Sequence, residues 1–362
     1  MNICIVCGAR PNFMKVAPLV KAIENARQQG DDVAFSLVYA GSQNDPTLEP
    51  QLFTDLGIAP PDVYLDAEAD SLNVLAGNVM FKFDHYLDTH PTDVVIVVDD
   101  LASTMSAAIT AKKKGVTLAH LVAGTRSFDI SMPKEINRLV IDGLSDLLFT
   151  AGAGSDSNVN REGANISKTY MVGNILMDTL RANHSRFQRP EVLDQLGVAE
   201  ENYLVFTLNR KALLQARDNL ANMLQALCNA AGDAPILAPL RGAAADVVRQ
   251  LLPPTATHFH LIQPLPYLQF GWLTAGAKGI VTDSGNVAEE ATFNGVPCIT
   301  LNNYTEHIET VTEGTNVLVG EDPQQLADAT ARMVAGQWKS STLPQRWDGR
   351  SAERILHILL NK

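Results

Sequence analysis

The chain has 362 residues, 46% hydrophobic and 19% charged, with a formal net charge of −12 at pH 7. This length exceeds one ordinary core and fits two α/β domains, while the acidic balance disfavours nucleic acid or an anionic membrane, which need clustered Lys and Arg. No apolar stretch approaches a membrane span, and Met1-Asn2-Ile3 enters a strand without a charged leader, so a cytoplasmic protein is expected.

Nearly continuous apolar strands alternate with helical patterns, as in parallel sheets covered on both faces. In chain order the pattern predicts a strand over 3–7, a helix over 15–28, a strand over 34–40, a helix over 47–56 and a strand over 93–98. Asp99-Asp100 ends that strand, and a small-residue helix over 103–114, a strand over 117–121, a helix over 134–144 and a strand over 147–150 follow. After Val172-Gly-Asn174 a helix runs to about Arg186, and Gln188-Arg-Pro190 marks a crossing between domains. A second alternation has strands over 203–207, 236–238, 258–262, 279–281, 297–301 and 315–318. Helices are expected over 217–230, 243–251, from Val287, over 323–336 and over 351–360. The expected fold is α/β, two doubly wound Rossmann-like domains with an interdomain cleft at the strand ends.

Cys4 and Cys7 have CxxC spacing but lie on one strand, where residues three apart point to opposite faces, so they read as core thiols. Cys228 and Cys298 add no framework, and His258-Phe-His260 has no acidic ligand set nearby. No metal and no cofactor is expected.

Val281-Thr-Asp-Ser-Gly285 breaks from a strand into a helix start, where free N–H groups and the helix dipole favour an anion and a small Ser-Gly pair permits close approach. Glu289 and Glu290 suit hydroxyl groups better than an anion, and the combination points to a nucleotide-sugar. Gly8-Ala-Arg-Pro-Asn-Phe-Met-Lys15 is a second strand-to-helix turn, whose Arg10 and Lys15 suit a diphosphate. Asp100 stands where it can move a proton or bind a hydroxyl; alternatively Asp99 or Asp100 caps the next helix. Adjacent carboxylates make double ionisation costly, so one of the two is expected to have a raised pKa. Glu135, Asn137 and Arg138 form either a buried polar network or a site wall, and Asn209-Arg210 and Leu240-Arg241 add positive charge at strand ends.

These segments, in this order, resemble the non-hydrolysing UDP-N-acetylglucosamine 2-epimerases, a family with a glycosyltransferase-B-like fold. The resemblance rests on Gly8-Ala-Arg-Pro-Asn-Phe-Met-Lys-Val-Ala-Pro18, Met132-Pro with Glu135-Ile-Asn-Arg138, Val172-Gly-Asn174, Thr282-Asp-Ser-Gly285 with Glu289-Glu290, Thr305-Glu306, Gly314-Thr-Asn-Val-Leu-Val-Gly320 and Trp347-Asp-Gly-Arg-Ser-Ala-Glu-Arg354. It implies epimerisation at C2 of UDP-N-acetylglucosamine to UDP-N-acetylmannosamine, through elimination and re-addition of UDP. It also implies a UDP or UDP-sugar ligand and a homodimer. The domains would span 1–175, with 351–362 packing back on it, and 176–350.

Carried over position by position, the resemblance makes Asp100 and Glu135 the catalytic carboxylates. It places Arg10 and Lys15 by the phosphates, with Phe270, Ser284, Gly285 and Glu290 holding uridine, phosphate and ribose, and Arg210 joins the substrate-binding set. Asn286 and His307 also fall in the binding set. The departures cluster at the chemistry. Asp99-Asp100 replaces Gly-Asp, Val122 replaces the Glu of Glu-Ala-Gly, Lys134 replaces the first Glu of Pro-Glu-Glu, and Asn209 replaces the His of His-Arg. Ser42-Gln43-Asn44 stands for Gln-His, His307 for an Arg, and Gly285-Asn286 for Gly-Gly, where Asn tolerates a left-handed backbone. The alternative reading is a nucleotide-sugar-binding or regulatory paralogue without epimerase activity.

Overall fold

The structure is a computed structural model that describes residues 1–361. The chain divides into two compact units, one formed by Met1–Ala182 with Gln345–Lys362 and the other by Asn183–Pro344.

In the first unit the strands are β1 (Asn2–Cys7), β2 (Ala34–Tyr39), β3 (Val63–Tyr64), β4 (Val94–Val98), β5 (Thr117–Ala123), β6 (Leu147–Thr150) and β7 (Thr169–Met171). They form one parallel sheet in the order β3-β2-β1-β4-β5-β6-β7. Its central strands are buried along their whole length, which is why they read as unbroken Val/Ile runs. Both cysteines of β1 are buried thiols, and burial pushes that of Cys4 up to about 12. Helix Ser351–Leu360 packs against helix Arg10–Gln29. Asp178 fixes its start by accepting from the amides of Ser351 and Ala352, at 3.1 and 2.8 Å. The buried Trp347 just before it donates to the carbonyl of Ala151.

The second unit carries β8 (Leu204–Thr207), β9 (Ile236–Pro239), β10 (Phe259–Ile262), β11 (Gly279–Thr282), β12 (Cys298–Thr300) and β13 (Asn316–Leu318). This sheet is also parallel, in the order β10-β9-β8-β11-β12-β13. In both sheets the strand order reverses beside the first strand, between β1 and β4 and between β8 and β11. Ligands of doubly wound sheets bind beyond the carboxyl ends at such switch points. The fold is thus the expected α/β class.

Three differences from the sequence reading have local causes. Helix Arg10–Gln29 starts five residues before Lys15, because Pro11 sits in the first turn, where a missing N–H costs nothing. Helix Pro50–Leu56 starts at its proline rather than at Thr47 for the same reason. Helix Leu72–Thr89 had no sequence signal: Leu72, Val74 and Phe81 are exposed, which blurs its apolar stripe. Among the described residues no helix is long and apolar enough to cross a membrane.

Candidate active site

At the first switch point the turn after β1 folds back on itself. The amides of Gly8 and Ala9 donate to Asn12 Oδ1 at 2.8 and 3.2 Å, and Asn12 Nδ2 donates to Asp99 Oδ2 at 2.8 Å. Lys15, buried, places its ammonium 2.6 Å from Asp99 Oδ1. Arg10 opens the same helix. Asp99 therefore ties the β1 turn to the end of β4, and its backbone is left-handed, with φ +58°. That turn directs Asp100 to the helix Pro133–Leu144.

Asp100 is held by cations on both oxygens. Arg138 contacts Oδ2 through Nε at 2.8 Å and Nη2 at 2.6 Å, and Lys134 reaches Oδ1 at 3.2 Å. Asn137 donates to the Asp100 carbonyl at 2.8 Å. Burial alone pushes the Asp100 carboxyl up, but Lys134 and Arg138 outweigh it and hold the group below the usual carboxylate range. The raised pKa expected from adjacent carboxylates does not occur at Asp100, because each member of the pair has its own cations.

Glu135 is equally committed. It accepts from the Ser127 amide and hydroxyl at 2.9 Å, from the Phe128 amide at 3.1 Å and from Arg138 at 3.0 Å. Burial raises its pKa, and these donors, the Ser127 amide first, bring it below its ordinary value. Arg138, fully buried, thus stands between two carboxylates, as the network reading of Glu135, Asn137 and Arg138 expects.

Val122 sits at an irregularity in the β5–β6 pairing with φ +72°, a conformation that a β-branched residue adopts only under strain. Beneath it runs a chain that the sequence did not reveal. His120 lies 2.9 Å from the Asp99 carbonyl through Nε2 and 2.5 Å from Asp142 Oδ1 through Nδ1. Asp142 also accepts from the Gly124 amide and pairs with Arg126 at 2.7 Å, and Arg126 pairs with Glu162. Only His-Leu-Val-Ala-Gly at a strand end hinted at this, since its partner Asp142 lies a helix away.

At the second switch point Asp283 Oδ2 accepts from the amides of Asn209 and Arg210, at 2.7 and 2.6 Å. The hydroxyls of Thr207 and Thr282 meet at 2.6 Å, locking β8 to β11. Ser284 precedes helix Gly285–Asn294, whose first-turn amides have no intrahelical acceptor. Asn286 lies inside this helix, so the left-handed backbone expected to explain it is not needed. The Arg210 guanidinium bonds Glu321 at 2.5 Å and the carbonyl of Leu301 at 3.0 Å. Phe270 packs against the apolar core from helix Tyr267–Ala275.

Glu290 is buried and its Oε2 has no hydrogen-bond partner. Burial, then the neighbouring Glu289, raises its pKa to about 8, so it is neutral at pH 7 and does not repel an anion at the helix start. Buried His307 places Nε2 3.7 Å from Glu289 Oε1. Because the folded pKa of Glu290 is raised, the native state loses stability as pH climbs from the unfolded carboxyl value toward 8. Glu290→Gln is expected to remove this loss. Its advantage over wild type in urea denaturation should grow by up to about 1.4 kcal/mol per pH unit across that window, and a constant difference would show that Glu290 is solvated.

The family pattern described as UDP-N-acetylglucosamine 2-epimerase matches residues 25–360. The chain belongs to this epimerase family. A UDP-N-acetylglucosamine 2-epimerase homolog of Methanococcus maripaludis is 31% identical, with 100% of both chains covered. The UDP-2,3-diacetamido-2,3-dideoxy-D-glucuronate 2-epimerase of Pseudomonas aeruginosa is also 31% identical, over 99% of each chain. Among solved structures, the UDP-GlcNAc 2-epimerase of Methanocaldococcus jannaschii in complex with UDP-GlcNAc and UDP is similar at a TM-score of 0.87, with 28% identity and 100% of both chains covered. The two Rossmann-like units are those of the family's glycosyltransferase-B-like fold. Val122 and Asn209 fall at the carboxyl ends of β5 and β8, and Lys134 at the start of the helix that holds Asp100.

Proposed function

We propose that the chain binds UDP-N-acetylglucosamine and interconverts it with UDP-N-acetylmannosamine. The observation that carries this reading is the second switch point, where a helix start with free amides is followed by the buried Glu290, whose Oε2 has no hydrogen-bond partner. Ser284, Gly285 and Asn286 take the diphosphate, with Arg210 of the same unit supplying positive charge. Phe270 holds the uridine, Glu290 the ribose hydroxyls, and His307 supports Glu289 beside it. Asp100, kept ionised by Lys134 and Arg138, accepts the C2 proton as the C1–O bond to UDP breaks and a C1=C2 double bond forms. The proton on Asp100 passes to solvent, a solvent proton is delivered to the opposite face of C2, and return of the diphosphate oxygen to C1 completes the inversion. Glu135 is ionised as well, and fixes the 127–128 backbone beside this carboxylate.

A second reading, a nucleotide-sugar-binding paralogue without turnover, is favoured by one observation: both oxygens of Asp100 are occupied by cations, Lys134 and Arg138. Incubation with UDP-N-acetylglucosamine in heavy water separates the two. Deuterium at C2 with formation of UDP-N-acetylmannosamine supports turnover; UDP binding without either signal leaves the second reading.

We also assign a homodimer. Phe81, 71% exposed, stands with Leu72 and Val74 on helix Leu72–Thr89, and Ile136 and Leu139 are exposed on helix Pro133–Leu144. Both helices pack against helix Ala102–Lys113, which places them on one side of the sheet. Phe81→Glu is expected to shift the sedimentation coefficient from dimer to monomer at micromolar concentration. An unchanged coefficient would move the interface elsewhere.

A further inference from the structure

We propose that Phe128 is the platform on which the pyranose ring of the nucleotide-sugar rests, making it a specificity-determining residue of the site. This deepens the function proposed above and rests on it. Phe128 is 73% exposed and adopts φ +60°, a left-handed conformation that is costly for a large side chain. Burial does not stabilise this arrangement, since the ring faces solvent.

The backbone is instead held there by side chains of the site. Glu135 accepts the amides of Ser127 and Phe128, and Arg138 fastens Glu135 while bonding Asp100. One guanidinium therefore separates the carboxylate that presents the ring from the carboxylate at the strand end. On the far side of Phe128, Asp129 accepts from the amide and hydroxyl of Ser131, which stiffens the turn. Strain maintained by such a network and spent on an exposed aromatic marks a contact surface for a ligand.

The chemistry of that ligand follows from the groups on the network that holds the Phe128 backbone. The half-exposed Lys134, one residue before Glu135, offers a donor to hydroxyl and carbonyl groups. Phe128 offers a flat apolar face. A pyranose has the same division, with polar groups at its edge and C–H bonds on its faces, and a few polar groups beside an aromatic wall are the usual make-up of a small-ligand site. None of these groups belongs to the set assigned above to uridine and diphosphate, so the ring should distinguish the sugar and not the nucleotide.

The test is calorimetric titration of UDP and of UDP-N-acetylglucosamine into wild type, Phe128→Gly and Phe128→Tyr, with thermal melts of each. Glycine accepts the left-handed backbone, so Phe128→Gly should melt no lower than wild type. It should bind UDP as wild type does and lose about tenfold in affinity for UDP-N-acetylglucosamine. Phe128→Tyr should retain both affinities. If Phe128→Gly binds the sugar nucleotide as tightly as wild type, or loses UDP and UDP-sugar equally, the assignment is wrong although the proposed function stands. A wild-type protein that binds neither ligand sinks both.

Discussion

Arg138→Ala is expected to cost about 3–5 kcal/mol of folding stability at pH 7, the range for removing one partner of a buried ion pair. The arginine is among the largest fully buried side chains, and it bonds Asp100 and Glu135 together. Its loss leaves Glu135 without its cation in a buried position, while Asp100 keeps Lys134. The pH dependence follows from the depressed carboxyls. Groups whose folded pKa lies below the unfolded value, about 4 for Asp and Glu, contribute stability that is present above that value and fades as pH falls through the folded pKa. The deficit of Arg138→Ala in urea denaturation should therefore be largest near neutrality and shrink below about pH 4. Adding Glu135→Gln to the variant should recover part of the loss, because a neutral amide needs no counter-charge. A deficit under about 1 kcal/mol at pH 7 would mean that water reaches the pair and that Asp100 is not rigidly held.

What the sequence made legible was what repeats along it. Strands buried on both faces leave unbroken apolar runs, so β4, β6 and β8 fall within a residue of their expected bounds. The glycine-containing turns after β1 and β11 stand where the strand order reverses, and both were readable as strand-to-helix turns. Side-chain partnerships across elements were not readable, since no local pattern says that Asp142 will meet His120 or that Lys15 will meet Asp99. The misreading of Asp100 has this origin. Adjacency in sequence suggested mutual repulsion, whereas the fold gives each carboxylate cations from a different helix. Positive φ at Val122 and Phe128 was equally hidden, because neither residue type announces it.

Restoring Val122→Glu, Lys134→Glu and Asn209→His together is expected to raise epimerisation by at least about two powers of ten, since a single acid–base group contributes about two to four. The structure says what each change does. Lys134→Glu removes the ammonium 3.2 Å from Asp100 Oδ1, frees that oxygen for substrate and sets a like charge nearby, which raises the Asp100 pKa and allows one carboxyl to donate while the other accepts. Val122→Glu replaces a β-branched residue at φ +72° with one less hindered there, so it should fold at least as well as the present chain. Asn209→His alters an exposed side chain and leaves intact the backbone amide that Asp283 holds. Deuterium incorporation at C2 in heavy water measures the gain, and Asp100→Asn in the restored background should abolish it. Should the triple variant melt like wild type, bind UDP and still exchange no C2 proton, then missing acid–base groups do not limit the reaction. The cause would then lie in how the β1 and β4 turns, joined through Lys15 and Asp99, aim Asp100.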